Sequence, residues 1–191
     1  MKKINQKMNR VVEFRNLNES DENILEGYAV VFDSPTVLYE IDGVEYKEII
    51  SRNALDEANL KDVCLKYNHG DSAYILARTR NNSLTLSIDE YGLKFRAELP
   101  NTTSANDIYE LVKSGLIDKC SFAFRCEEDI YDKKTHTRTI TKIKRLYDVS
   151  VVDIPAYDDT NVEARNFFDG FAKVEKADET LRKRLILRTY C

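Results

Sequence analysis

The stretch RTITKIKRLYDVSVVDI, Arg138 to Ile154, most restricts what this chain can become. β-Branched and aromatic residues recur through it, and no proline or glycine interrupts it before Pro155. That pattern reads as a strand, and as one far longer than the usual five or six residues or so. Strands twist, so one of this length has to coil or bend rather than stay flat. The polar turn DKKTHT comes just before it, and the apolar strand pattern KCSFAFRC lies upstream of that turn.

The segments before this pair are also mostly strands. RVVEF, from Arg10, opens the ordered part. NILEGYAVVFDS is β-rich and stops at Ser34-Pro35. VLYEIDGVEYKEII alternates around Asp42-Gly43, the strongest short-range hairpin signal. SRNALDEAN then offers Ser51 as a cap for a short helical turn. VCLKYNHG is a further strand. SLTLSIDEYGLKFRAEL is a second hairpin, turning near Tyr91-Gly92, with Leu84, Leu86 and Ile88 on one face. The clearest helix is SANDIYELVKSG, with Ser104 as its expected cap, Ile108, Leu111 and Val112 as its apolar face, and Gly115 as its left-handed stop.

Many strands with one marked helix give a β-rich α+β fold. The expectation is a closed or strongly coiled antiparallel β-barrel with peripheral helices, rather than alternating βαβ units. Residues 1–22 are expected to form a leader and first strand, residues 23–165 the main domain, and residues 166–191 a helical, basic C-terminal tail.

Composition narrows the function. A chain with 42% hydrophobic and 32% charged residues has the apolar side chains for a core. Its net charge of -4 argues against a nucleic-acid binder. No apolar run is long enough to span a membrane, and the basic start is followed by no secretory h-region. The four cysteines form no C-x-x-C pair and make no zinc set with the two histidines. Cys64, in an apolar strand, reads as buried and reduced, which suits a reducing compartment.

The chain owns only His69 and His136. His69 ends an apolar strand. Alone it reads as a turn residue bonded to a carbonyl; as a general base it needs a nucleophile and an orienting acid. Ser121 opens the strand after the helix and is one candidate nucleophile, and Cys120 is the chemical rival. Alternation sends the two to opposite faces, so at most one meets His69. Asp148 and Asp153 interrupt an apolar run, with opposite parity, and either is a candidate acid or a solvent-facing position.

Taken together, EGYAVVFDSPT, LKYNHGD, the run from Leu93 to Phe124 and DVSVVDIPAYDDTNVEAR resemble the caudovirus prohead protease family, capsid-maturation serine proteases distantly similar to the herpesvirus assemblins. The resemblance runs from Glu26 to Arg165. Three blocks carry it: Asn68-His69, the Gly115 to Phe124 segment with Ser121, and Asp148 to Ala156. It implies His69 as general base, Ser121 as nucleophile and the acid of the third block, here Asp148, as the orienting member. The family's block has Glu at that place, and the shorter Asp148 needs a strand set closer to His69. Assemblins use a second histidine instead, for which His136 is the candidate. Arg125 is either a helper or a surface residue. A herpesvirus-protease-like fold is implied, with no cofactor and no metal. The implied substrates are the major capsid protein, the scaffold protein and the protease itself, inside the immature procapsid in the host cytoplasm. A homodimer is allowed, and neither direct nucleic-acid nor membrane contact is implied. A catalytically idle assembly factor with the same fold is the alternative.

Overall fold

The computed structural model describes residues 7–13, 23–70 and 75–153. The expected C-terminal tail, most of the leader and Asp71 to Tyr74 lie outside these.

Among the described residues there are ten strands and one α-helix: β1 (Lys7–Glu13), β2 (Ile24–Val31), β3 (Thr36–Ile41), β4 (Val44–Ile50), β5 (Cys64–Tyr67), β6 (Ile75–Arg78), β7 (Leu84–Ile88), β8 (Gly92–Glu98), α1 (Thr103–Lys113), β9 (Lys119–Asp132) and β10 (Thr137–Val152). β3 and β4 turn at Asp42 and Gly43, both at positive φ, as the hairpin signal requires. Between β7 and β8, Asp89 Oδ1 accepts from the amides of Tyr91 and Gly92 and holds the turn.

The long strand organises the molecule. β10 pairs antiparallel with β9 along nearly its whole length. Its other edge is shared in tandem: β4 pairs parallel with Thr137 to Ile140, and β5 pairs parallel with Asp148 to Val151. Register shifts between Ile140 and Asp148 let the strand bend between these two partners. β1, β3 and β6 complete a seven-stranded sheet, while β2, β8 and β7 form a separate antiparallel sheet of three.

This corrects the expected barrel. Among the described residues neither sheet closes on itself: the larger runs from β1 to β3 with β5 and β6 branching off β10, and it is mixed rather than antiparallel. Hairpin signals report only neighbouring strands, so they hid the two parallel pairings of β10.

The core lies between the sheets and α1. Leu25, Val30, Leu93 and Phe95 of the smaller sheet join Phe122, Phe124, Ile140, Leu146 and Val149 of the larger, with Ala105, Ile108, Tyr109 and Val112 of the helix. One expected cap moves and the other stays in place without its bond. Thr102, not Ser104, caps α1, its Oγ1 accepting from the Ala105 amide at 3.3 Å. Ser51 precedes the 3-10 turn Arg52–Leu55 without a side-chain cap bond. Gly115 ends the helix at φ 75°, as expected.

Candidate active site

The site begins with strand phase. On β9, Cys120, Phe122 and Phe124 point into the core, so Ser121, Ala123 and Arg125 face the other way. On β10, Val149 and Val151 point into the core and Asp148 and Ser150 share the opposite face. The register sets Ser150 opposite Ser121 and Asp148 opposite Ala123. On the far side of β10, Cys64 lies beside Asp148.

His69 reaches this face because β5 ends in a turn. Asn68 and His69 both adopt left-handed backbone, φ 50° and 52°, a conformation of higher energy for residues with a Cβ. Three bonds hold it. The Asn68 amide donates to the Val151 carbonyl, the Gly70 amide donates to the Tyr67 carbonyl, and Asn68 Oδ1 accepts from the Asp153 amide. Strain of this kind collects at functional sites.

The turn lays the imidazole across three side chains. His69 Nε2 is 2.6 Å from Ser121 Oγ, and His69 Nδ1 is 2.5 Å from Asp148 Oδ1. A carboxylate can only accept, so the hydrogen-bond network assigns the ring proton to Nδ1 and leaves Nε2 to accept from the Ser121 hydroxyl. Asp148 and Ser121 are each 1% exposed, which keeps water from competing for these bonds. The side chain of His69 retains 19% exposure, so the site opens to solvent at the imidazole.

The structure thus brings together His69, Ser121 and Asp148 and leaves two rivals outside. His136 sits at the tip of the β9–β10 hairpin, far along the strands from Ser150, with Nδ1 3.4 Å from the Tyr131 hydroxyl and its ring 5.1 Å from Tyr46. Cys120 is fully buried on the core side, its thiol directed to the Ser121 carbonyl. Burial is the largest cause pushing that thiol's pKa up, which disfavours the thiolate. Asp153 turns away to accept from the Tyr67 hydroxyl at 3.0 Å. The short side chain of Asp148 reaches His69 because β5 pairs directly with β10 and holds the His69 turn against it.

One residue in contact with this set went unassigned at the level of sequence. Ser150 Oγ lies 3.2 Å from Asp148 Oδ1, to which it donates, and 3.2 Å from His69 Nδ1. Its signals in the sequence were shared parity with Asp148 in an otherwise apolar run and its place in the block from Asp148 to Ala156. Chemically, the arrangement can move a proton from the Ser121 hydroxyl to an imidazole whose positive charge a buried carboxylate balances.

Residues 10–175 match the family described as caudovirus prohead serine protease. The prohead protease of Escherichia phage T5 is 31% identical over 87 residues, which spans 46% of this chain and 40% of that protein. The fold is similar to that of the bacteriophage T4 capsid assembly protease, with a TM-score of 0.50 at 12% identity over 78% of this chain and 98% of that one.

Proposed function

This chain belongs to the caudovirus prohead serine protease family, and from that premise we propose that it is a serine endopeptidase of prohead maturation, with Ser121, His69 and Asp148 as its catalytic triad. The observation that carries the reading is the single imidazole bonded at one nitrogen to a buried hydroxyl and at the other to a buried carboxylate.

The steps follow from the atoms. Ser121 Oγ attacks the scissile carbonyl while His69 Nε2 takes its proton. The imidazolium is stabilised by Asp148, which keeps its charge. His69 then delivers the proton to the leaving amine, and water repeats the sequence on the acyl-enzyme. Ser150 donates to the same carboxylate oxygen that holds Nδ1 and so helps to aim it.

The proposed substrates are the major capsid protein or scaffold protein within the immature procapsid, and the chain itself. The test is co-expression with the cognate capsid protein. Wild type is expected to shorten it to a discrete product, while Ser121→Ala leaves it intact. A capsid protein processed equally by both would remove Ser121 from the chemistry.

A further inference from the structure

The face of the larger sheet that carries Ser121 also carries a pair of cations that the proposed mechanism does not use. β9 runs on that face from Ser121 through Ala123 to Arg125, and register sets Arg145 of β10 opposite Arg125. Leu146, next to Arg145, is in the core, so Arg145 faces the same way as Arg125. On the other flank of Arg125, β1 places Lys7 in register.

Like charges directly opposite on neighbouring strands are destabilising. No carboxylate among the described residues forms an ion pair with Arg125 or Arg145. Asp62 interacts with Arg145 at longer range, but Arg78 already holds both of its carboxylate oxygens, at 2.7 and 2.9 Å. Arg145 lays its guanidinium over the Tyr147 ring, 5.1 Å from the centroid, which fixes its direction without cancelling its charge. Both arginines are half-buried, where an unbalanced charge is felt more strongly than in open water.

We propose that Arg125 and Arg145 form a substrate subsite that takes an acidic side chain, Asp or Glu, about four residues from the scissile bond. This rests on the reading of Ser121 as the nucleophile. Ser121 and Arg125 are four positions apart on one strand, roughly 13 Å, and an extended peptide over the same face covers that distance in about four residues. Two arginines in register on paired strands suit a planar carboxylate, which a guanidinium can bind through paired N–H donors. The subsite would let the enzyme recognise a segment rather than a single bond.

The experiment is a digest of a proteome-derived peptide library by the full chain, with the cut ends read by mass spectrometry. Wild type is expected to enrich Asp or Glu at one position three to five residues from the cut. Kinetics then use one such peptide and its twin with Gln at that position. The preference for the acidic twin, as a ratio of kcat/KM values, is expected to fall about 10- to 100-fold in Arg125→Ala, mainly through KM. Arg125→Gln removes one of two like charges in register and is expected to raise Tm, which a structural role for Arg125 would not do. An unchanged preference in Arg125→Ala, absence of acidic enrichment in wild type, or an equal loss of kcat on both twins would each overturn the subsite. Failure of wild type to cut any peptide would instead overturn the protease reading, and the subsite with it.

Discussion

Ser121 and Cys120 are adjacent in sequence, yet only Ser121 meets an imidazole. The prediction at this scale is direct: Ser121→Ala and His69→Ala each abolish processing of co-expressed capsid protein, whereas Cys120→Ala retains it, as read by gel mobility and mass. Because the residues act as one unit, the double variant Ser121→Ala/His69→Ala is expected to be no worse than either single change. Ser150 makes a second test. It donates to the buried carboxylate that orients the base, and a hydrogen bond to a charged group is worth about 1.5–3 kcal/mol. Ser150→Ala is therefore expected to lower kcat roughly 10- to 100-fold with little change in KM, measured on a cleavable peptide. Strand alternation let the opposed faces of Cys120 and Ser121 be read from sequence. The closeness of Ser150 to both Asp148 and His69 was not legible, because alternation says which side a residue faces and not what approaches it.

Local chemistry made most elements readable. Asp42-Gly43 specified a hairpin because both turn residues need positive φ, and they have it. The helix was legible from its apolar face and from Gly115, but its start was displaced. Thr102, Thr103 and Ser104 all have capping hydroxyls, and sequence does not say which backbone is extended. The extended one is Thr102. Thr102→Ala is expected to cost about 1 kcal/mol, or roughly 2–4 °C in Tm for a chain of this size, with Ser104→Ala close to neutral in the same thermal melt. Gly92 answers to a different constraint. A Cβ there would come within 1.9 Å of the Val30 carbonyl oxygen of the paired strand. Gly92→Ala is expected to force β8 away from β2 and to lower Tm well beyond the Thr102→Ala effect. β6 escaped notice in the sequence because its four residues offer too short a run for periodicity to register.

At the scale of the whole molecule, β10 joins the larger sheet: β9 along one edge, β4 and β5 in tandem along the other. Arg138 locks the β4 end. Its fully buried guanidinium lies between Glu48 of β4 at 3.3 Å and Asp129 of β9 at 2.9 Å. Removing one partner of a buried ion pair strands the other charge, so Arg138→Ala is expected to cost about 3–5 kcal/mol in urea unfolding. The sequence by itself determined the β-rich class, the main hairpins, the helix and the opposed faces of neighbouring strand residues such as Cys120 and Ser121, because φ preferences and side-chain alternation act between near neighbours. It also marked His69, Ser121 and Asp148 as candidates. Only the tertiary structure decided that the sheets stay open among the described residues and that β10 has two parallel partners. Only it placed His69 between a serine 52 residues away and an aspartate 79 residues away. The physical reason is that strand pairing across long loops depends on the packing of the whole core. Backbone hydrogen-bonding groups are nearly alike in every strand, so no short stretch of residues encodes the choice of partner.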